Sequence, residues 1–292
     1  MCHAGGMNMP LLQEPLPRGV IIAATPLGNI GDASMRLVQA LTQADVVAAE
    51  DTRRVKSLAQ ALGITIKGDI VSNFDHNEKA RSVQLLAAAR HGSVVVVSDA
   101  GMPIVSDPGH SLVAAAAAEG IPVTCLPGPS AVTTALALSG MSVGHFIFDG
   151  FAPRKPGQKR SWLEGLRTQP RAVVFFESPH RIADTLMLAA EVLGGQRRAA
   201  VCRELTKTYE EIKRGTLDEL AQWASDGVRG EITVVIDGGA AEDIDVDTLV
   251  PEALELADAG MRLKDACKKA AAGTGVSNRE LYDAAVEAKN SQ

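Results

Sequence analysis

The sequence predicts an α/β protein, because short apolar strands alternate with helical segments through most of its length. The clearest case is the stretch 93–131, where the β-branched run Val94–Val97 is too short for a helix and apolar on both faces. A turn, an alanine-rich helix over His110–Glu119 and a strand over Pro122–Leu126 follow it. This order is typical of parallel strands joined by a right-handed crossover.

Composition limits the classes of protein to which the chain belongs. Its 292 residues suffice for two modest domains and an appendix, and 46% apolar residues indicate a globular chain. No apolar run approaches the ~20 residues of a membrane span, so we expect no membrane partner. The stretch Met1–Pro17 lacks the pattern of a secretory signal, and we expect a disordered tail there.

Cysteine spacing and charge narrow the possibilities further. Cys2, Cys125, Cys202 and Cys267 show neither CxxC nor Cys/His ligand spacing, which predicts no metal site and suits a reducing cytoplasm. The net charge of −6 alone argues against a polyanionic partner. Local basic clusters argue the other way if several of them face one cleft, although each alone is more typical of a solvated surface.

The chain is predicted to divide into four parts. A tail (1–17) precedes an N-terminal α/β lobe (18–140), a C-terminal α/β lobe (141–238), and a linker with a helical module (239–292). The first boundary rests on the change in character before the Pro/Gly-rich basic loop 149–160, and the second on the acidic, glycine-bearing stretch 238–247.

In the N-terminal lobe, the first strand, Gly19–Thr25, runs into a glycine turn that lacks GxGxxG spacing, so a plain strand-to-helix turn stays an alternative to a cofactor turn. Asp32 or Ser34 is positioned to cap the next helix, Met35–Ala44. The second strand, Val46–Ala49, leads into a charged stretch that belongs in a loop or a site.

Three further helices and two further strands complete this lobe. The helices are predicted at Val55–Leu62, Lys79–Arg90 and Ala131–Leu138, and the strands at Asp69–Ser72 and Pro122–Leu126. The polar cluster 73–78 contains His76, which is either a catalytic base or part of a helix cap. The turns after Val97 and Leu126 lie at the carboxyl ends of their strands, where ligands bind in such sheets.

In the second lobe, predicted strands again alternate with predicted helices. Its strands are predicted at Phe146–Phe148, Ala172–Phe176, Ala199–Cys202, Glu210–Arg214 and Glu231–Asp237, and its helices at Lys159–Thr168, Ile182–Leu193 and Thr216–Ala224. Beyond the linker, Val250–Ala259, Arg262–Ala272 and Asn278–Ala288 have helical periodicity. Gly260 and the glycine-bearing stretch 273–277 separate these helices, and helices joined by short glycine turns indicate either a helix-turn-helix or a plain three-helix module.

Five motifs in order give the chain a family resemblance. It resembles the tetrapyrrole-methylase-like (class III) S-adenosylmethionine methyltransferases, and among them the enzymes that 2′-O-methylate a cytidine in 16S rRNA of the small ribosomal subunit. The motifs are Thr25-Pro26-Leu27-Gly28-Asn29, Ala49-Glu50-Asp51-Thr52-Arg53, Ser98-Asp99-Ala100-Gly101-Met102-Pro103, Leu126-Pro127-Gly128-Pro129-Ser130 and Glu177-Ser178-Pro179-His180-Arg181. The first turn departs from the fuller glycine pattern of porphyrin-modifying relatives, which disfavours a tetrapyrrole substrate.

The resemblance implies two α/β lobes of the tetrapyrrole methylase type with the cofactor, S-adenosylmethionine, in the cleft between them, and a homodimer. Asp99 is expected to accept from a ribose hydroxyl or from the methionine ammonium of the cofactor. The residues that it implies for cofactor binding are Pro26, Gly28, Ser98, Asp99, Ala100, Gly101, Met102, Pro103, Ile104, Leu126, Pro127, Gly128, Ser130, Ala131, Glu177, Ser178 and Thr233.

Methylation of a ribose hydroxyl requires alignment of the hydroxyl with the methyl group and removal of a proton. The candidates for the proton are Asp51, Glu50, His76 and Glu177, with Asp51 first, although the adjacent Arg53 lowers its basicity. Arg53 is alternatively a phosphate ligand. The predicted RNA contacts are Arg54, Arg154, Lys155, Lys159 and Arg160.

Two other functions stay open at this point. A methyltransferase of the same fold acting on a small tetrapyrrole-like molecule or a protein is the first, and basic loops facing the cleft would argue against it. A non-catalytic RNA-binding regulator built on the C-terminal helices is the second.

Overall fold

The structure, a computed structural model, describes residues 14–73, 78–104, 109–239, 246–271 and 276–290. Most of the predicted tail lies outside these ranges. The chain forms two compact units. One runs to Leu138 and includes Cys202–Glu211, and the other comprises Ser139–Val201 and the chain from Ile212 onward. The predicted division at 140 and 238 remains a prediction, since these units place the helical module with the second lobe.

The first unit contains five strands and five helices among the described residues. In chain order they are β1 (Gly19–Ala23), α1 (Met35–Gln43), β2 (Val46–Ala49), α2 (Thr52–Ala61), β3 (Asp69–Ser72), α3 (Glu78–Ala89), β4 (Ser93–Val97), α4 (His110–Ala118), β5 (Val123–Leu126) and α5 (Ala131–Ser139).

All strands of this sheet are parallel, in the order β3-β2-β4-β1-β5. Val20 of β1 pairs with Val94 on one side and with Val123 on the other. The crossover from β4 to β5 therefore passes over β1, which lies between them. The carboxyl ends of β2, β4 and β1 come together at one edge of the sheet.

The core of this unit lies on both faces of the sheet, which explains why the strands are apolar throughout. Ile21 and Val95 pack on one face with Leu37 and Leu41 of α1. The alternate residues, such as Val94 and Val96, pack on the other face with helices α3 and α4. Every residue of β1 and β4 is buried.

The second sheet and its helices follow in the chain. The elements are β6 (Phe146–Phe151), α6 (Pro156–Gly165), β7 (Ala172–Glu177), α7 (Ile182–Leu193), β8 (Arg198–Arg203), β9 (Glu211–Thr216), α8 (Leu217–Ser225) and β10 (Ile232–Ile236). The strand order is β6-β7-β10-β8-β9, with β6 and β7 parallel and β7 and β10 antiparallel. The core contains Phe175, Ile182, Leu186 and Leu220.

Three helices end the chain: α9 (Val246–Asp258), α10 (Leu263–Ala270) and α11 (Asn278–Asn290). They pack around a small core that includes Ala253, Cys267 and Leu281. We call α9–α11 the C-terminal module.

The predicted α/β class is confirmed. Helices α2, α3, α6 and α9 begin earlier than predicted, and for α2 and α6 the reason is identifiable. Helix α2 starts at Thr52 because the Asp51 side chain caps it by accepting from the Arg53 backbone N–H. Helix α6 starts at Pro156, a residue that suits the first helical position. Among the helices of the described ranges, none has both the length and the apolar character that a membrane span requires.

Candidate active site

The end of β1 is joined to the turn after β4 through Thr25. Thr25 and Gly101 exchange two backbone hydrogen bonds, of 2.9 and 3.0 Å. The Thr25 hydroxyl, which is buried, also donates to the Ser98 carbonyl at 3.3 Å. These bonds hold the first glycine turn against the Ser98–Ile104 turn. Thr25 is the first residue of the motif Thr25–Asn29, but it was not among the predicted site residues.

Gly101 is the point at which three turns meet. Its φ of +80° is in the left-handed region, which favours glycine. A Cβ there would lie 2.9 Å from Leu27 Cδ2 and 3.4 Å from the Pro129 carbonyl oxygen. The turns after β1, β4 and β5 are therefore close together, and the structure brings the predicted residues of these turns to one edge.

Asp99, in the turn after β4, contacts the start of α2. One of its carboxylate oxygens accepts from the Asp51 backbone N–H at 3.0 Å, and the other lies 3.3 Å from Arg54 Nε. The carboxylate was predicted to bind the cofactor. That assignment stays a prediction: both oxygens contact the protein, and each retains a further lone pair for a ligand.

Asp51 is bound on both oxygens by its neighbour. The Arg53 guanidinium contacts both at 2.6–3.2 Å, and the Arg53 backbone N–H donates at 2.8 Å. The side-chain hydrogen bonds from Arg53, followed by the backbone one, lower the pKa of Asp51 to about 2. A carboxylate with this pKa is a weak base near neutral pH, which weakens the case for Asp51 as the proton acceptor.

A cavity of about 60 Å³ lies beside these residues. Its lining includes Thr25, Pro26, Ala49, Asp51, Arg54, Val55, Leu58, Ser98 and Asp99. Polar side chains of Thr25, Asp51, Arg54, Ser98 and Asp99 line this space, so it suits a polar part of a ligand.

The other turn residues have mainly structural contacts. The Leu126 carbonyl accepts from Ala24 N–H at 3.1 Å, and a Cβ on Gly128 would lie 3.0 Å from the Ala24 Cβ. The Ser130 carbonyl accepts from Thr134 N–H in the first turn of α5, which begins at Ala131. In the turn after β4, which also contains Ala100, Met102 and Pro103, Ile104 has a φ of +76°, unusual for a β-branched residue.

Gly28, predicted as a cofactor contact, faces a lysine. A Cβ there would lie 2.2 Å from Lys207 Cγ, so the lysine stem crosses the glycine turn. Lys207 Nζ pairs with Glu204 at 2.9 Å, and Glu204 and Thr206 both have positive φ, +51° and +66°. The sequence predicted only a polar loop after the strand Ala199–Cys202 here, and it gave no signal that Lys207 contacts the glycine turn.

The polar residues that follow β2 and β3 are close in space. The Ser72 hydroxyl donates to the Glu50 carbonyl at 3.4 Å, and Asn73 N–H donates to the Ala49 carbonyl at 2.8 Å. The Asn73 side-chain oxygen is buried and has no hydrogen-bond partner among the described residues. His76 lies outside the described residues.

In the second unit, Glu177 at the end of β7 is completely buried. Its carboxylate accepts from the Thr185 hydroxyl at 2.6 Å and from Ser178 N–H at 2.7 Å, and it pairs with Arg181 at 2.5 Å and Lys159 at 3.7 Å. Lys159 also donates to Thr185 at 2.6 Å. Such a fully bound carboxylate is not available as a base. This network organises the Glu177–Arg181 motif.

Thr233, another residue predicted to bind the cofactor, lies in β10, where it pairs with Phe176 of β7.

With this geometry in view, the comparisons with known proteins decide the family. The profile of the family described as Tetrapyrrole (Corrin/Porphyrin) Methylases matches residues 19–221. The chain belongs to this family. The predicted resemblance is thereby confirmed. A second profile, described as the RsmI C-terminal HTH domain, matches residues 242–289 of this methylase.

Full-length relatives carry a more specific name. A Mycobacterium bovis protein named Ribosomal RNA small subunit methyltransferase I is 56% identical over 92% of this methylase and 95% of the relative. A Bacillus subtilis protein of the same name is 38% identical over 90% and 92% of the two chains. Among solved structures, uroporphyrin-III C-methyltransferase from Thermus thermophilus with S-adenosylhomocysteine has a TM-score of 0.54 at 19% identity, covering 76% of the methylase and 97% of that chain, which shows the fold.

The basic residues predicted to bind RNA differ in their exposure and in their ion pairs. Arg154 and Lys155 of the methylase are exposed, whereas Lys159 is only 6% exposed and pairs inward with Glu177. Arg160 pairs with Glu191 at 2.8 Å, and Arg54 with Asp99. Burial excludes Lys159 from a surface that contacts RNA. The sequence alone did not indicate that Lys159 is buried and Lys155 exposed, because both belong to one basic stretch at the start of α6.

Metal ligands were not expected. Over the described ranges, no group of three or more His, Cys, Asp or Glu side chains is arranged to hold a metal ion.

Proposed function

We propose that the protein transfers a methyl group from S-adenosylmethionine to the ribose 2′-oxygen of a cytidine in 16S rRNA of the small ribosomal subunit. The observation that carries this proposal is the match to relatives named Ribosomal RNA small subunit methyltransferase I, which extends over 92% of the chain at 56% identity. The tetrapyrrole methylase profile ends at residue 221, whereas a separate profile covers the C-terminal module. The module therefore sets this chain apart within its fold family.

The residues at the edge of the first sheet fit the cofactor. Gly101 allows the turns after β1, β4 and β5 to approach closely, because a Cβ there would lie 2.9 Å from Leu27 Cδ2. These Pro/Gly turns supply fixed backbone N–H and C=O groups for an adenine edge and an amino-acid end. Thr25, Ser98 and Asp99 would hold the cofactor together with these turns. S-adenosylmethionine supplies a methyl group already activated on a sulfonium, so the reaction requires neither a metal nor a protein nucleophile.

The chain's own contribution to the reaction is alignment and proton removal. Asp51 is held by Arg53 and keeps its charge, and we assign it the role of orienting Arg53 toward an RNA phosphate. Glu177 lies in the second unit, where Lys159 and Arg181 pair with it. We assign the removal of the hydroxyl proton to Glu50, because this residue directly follows β2 at the carboxyl edge of a parallel sheet, where ligands bind.

The RNA is proposed to contact Arg154 and Lys155, which are exposed and pair with no carboxylate in the described part of the chain. Arg160 is proposed to add to this surface, with its pair to Glu191 shared or exchanged on binding. Arg54, in the first unit, is proposed as a further RNA contact, with its pair to Asp99 shared or exchanged in the same way. Long-range attraction from such cations is screened by salt, so the binding should be salt-dependent.

The protein is further proposed to be a cytoplasmic homodimer. The strand β6 lies at the edge of the second sheet and exposes Phe146 and Phe151 at 42% and 60%. Exposed aromatic residues on an edge strand are typical of surfaces that pair with another chain. Light scattering on the purified protein measures the oligomeric state directly, and a monomer at micromolar concentration would contradict the dimer.

The test of the proposed function is transfer of a tritiated methyl group to small ribosomal subunits from a strain that lacks the modification, followed by nucleoside analysis. We expect the label in 2′-O-methylcytidine. Tight cofactor binding with no label in RNA would instead support a small-molecule or protein acceptor on the same fold.

A further inference from the structure

The C-terminal module has an uneven distribution of charge. Helix α9 carries four carboxylates and no cation: Asp247, Glu252, Glu255 and Asp258. Helix α11 carries three carboxylates and two cations. Helix α10 with its N-cap residue carries four cations and one carboxylate, Asp265; the cations are Arg262, Lys264, Lys268 and Lys269. Positive charge in this module, within a chain of net charge −6, is therefore concentrated on α10.

The cations of α10 point away from the module's core. Ala266, Cys267 and Ala270 form the buried face of the helix, at 0–5% exposure, and they pack among residues of α9 and α11. Lys264, Lys268 and the neighbouring Lys269 are exposed. Small buried residues hold the helix close to its neighbours, so the positive face is presented by a fixed element rather than by a loop.

The cations of α10 are not neutralised by the carboxylates of the neighbouring helices. Within the described ranges, Arg262, Lys264, Lys268 and Lys269 form no ion pair with any carboxylate, even though two acidic helices adjoin α10. Many other cations pair within 4.0 Å of a carboxylate, among them Arg53, Arg54, Arg90, Arg160, Arg181, Arg203, Lys207 and Arg279. An unpaired cationic face needs no rearrangement to receive an anion.

The connection before α10 places it as the second helix of a tight pair. Helix α9 ends at Asp258, Gly260 has a φ of +100°, and Met261 N–H donates back to the Leu256 carbonyl at 3.2 Å. Four residues separate the two helices, and α10 begins at Leu263. A turn of this length occurs in helix-turn-helix units, and the profile that covers the module is described as an HTH domain. In such units one helix lies on the nucleic acid.

From these observations we infer that α10 is an RNA-binding surface, whose face of Lys264, Lys268 and Lys269 lies along the phosphate backbone of the RNA substrate, while α11 makes no such contact. This inference rests on the proposed function for the identity of the RNA. It adds a second contact, separate from Arg154 and Lys155. Lysine ammonium groups bind phosphates as point charges, so we expect affinity and little sequence preference from this face.

The test compares two double variants of the full-length protein with equal loss of charge in the same module. Lys268→Gln with Lys269→Gln alters α10, and Arg279→Gln with Lys289→Gln alters α11. The probe is an unmodified 16S rRNA transcript, and its Kd is measured over a series of salt concentrations. We expect the α10 variant to bind about 10- to 50-fold more weakly near 0.1 M salt, with the slope of log Kd against log salt reduced by roughly 1.5 to 2. The α11 variant should match the wild type.

Four outcomes overturn the inference, and thermal unfolding of each variant confirms that it is folded. If the wild type binds and methylates RNA while the α10 variant matches it in Kd and slope, only the inference fails. Equal losses in both variants would mean that the net charge of the module matters, not α10. If binding of the transcript is unchanged but methylation of assembled subunits falls, the partner of α10 is a ribosomal protein. A wild type that neither binds nor methylates RNA contradicts the proposed function as well.

Discussion

Asp99 accepts a hydrogen bond from the backbone N–H of Asp51 at 3.0 Å, and this contact joins the turn after β4 to the start of α2. The second Asp99 oxygen lies 3.3 Å from Arg54 Nε, one turn into the same helix. The carboxylate therefore holds in place both the charged stretch after β2 and the turn that we propose binds the cofactor.

Substitution of Asp99 separates this positioning role from direct ligand binding. In Asp99→Ala the Asp51 N–H loses its acceptor, and we expect a loss of about 1–2 kcal/mol in the free energy of unfolding together with weaker cofactor binding. In Asp99→Asn the side-chain oxygen still accepts, so most of the affinity should remain. Calorimetry of cofactor binding and denaturant unfolding measure the two effects.

Arg54→Gln is the matched control, because it removes only the ion pair. We expect it to resemble Asp99→Asn. If Asp99→Asn instead binds the cofactor as poorly as Asp99→Ala while Arg54→Gln binds normally, the Asp99 charge contacts the ligand directly.

The pKa of Asp51 depends on Arg53. Because the folded pKa of about 2 lies below the ordinary value of 3.8, stability from this carboxylate is present above about pH 3.8 and is lost as the pH falls through 2. Asp51 therefore contributes no change in activity or stability between pH 5 and 9. An NMR titration should show the Asp51 pKa rising toward 3.8 in Arg53→Gln. An unchanged pKa in that variant would contradict the assigned cause.

The contact between Gly28 and Lys207 predicts a specific rescue. A Cβ at residue 28 would meet Lys207 Cγ at 2.2 Å, near the base of the side chain, so Gly28→Ala should cost about 1–3 kcal/mol of stability. Removing the stem in Gly28→Ala with Lys207→Ala should restore most of the loss relative to Lys207→Ala alone. A double-mutant cycle by thermal unfolding measures the coupling, and strictly additive losses would show that the two residues do not meet.

The local elements of the fold could be predicted because their signals are local. The strands Val46–Ala49 and Asp69–Ser72 were predicted at their observed bounds, since short apolar runs are enclosed there by polar or glycine residues. Ser34, one of two predicted caps, accepts from Leu37 N–H at the start of α1. The start of α2 was missed because Asp51 was read only as a site residue and not as a cap.

The site could be predicted only in part, because its contacts join distant parts of the chain. The motifs indicated which turns matter, but not that Asp99 is bound to Asp51 or that Lys207 crosses Gly28. Nor does sequence distinguish a buried lysine from an exposed one. Lys155 and Lys159 belong to the same basic stretch, yet one is exposed and the other pairs with Glu177. These facts depend on how strands far apart in sequence are arranged.

The two lysines give a matched pair for stability. Lys159→Met leaves Glu177 buried with Arg181 as its only cation, and we expect a loss of about 3 kcal/mol in the free energy of unfolding. Lys155→Met, the same change at an exposed position, should alter stability by less than about 0.5 kcal/mol. Equal effects in urea unfolding would contradict the burial of Lys159.

The position of the transferred methyl group tests the central claim most directly. Small-subunit RNA would be methylated by the protein with a trideuteromethyl donor, hydrolysed in alkali and analysed by mass spectrometry. A 2′-O-methyl group blocks cleavage of the following phosphodiester, so we predict the deuterium label in an alkali-resistant dinucleotide that begins with cytidine. Label on the base of an ordinary mononucleotide, or no label in RNA while the cofactor binds, would contradict the assignment.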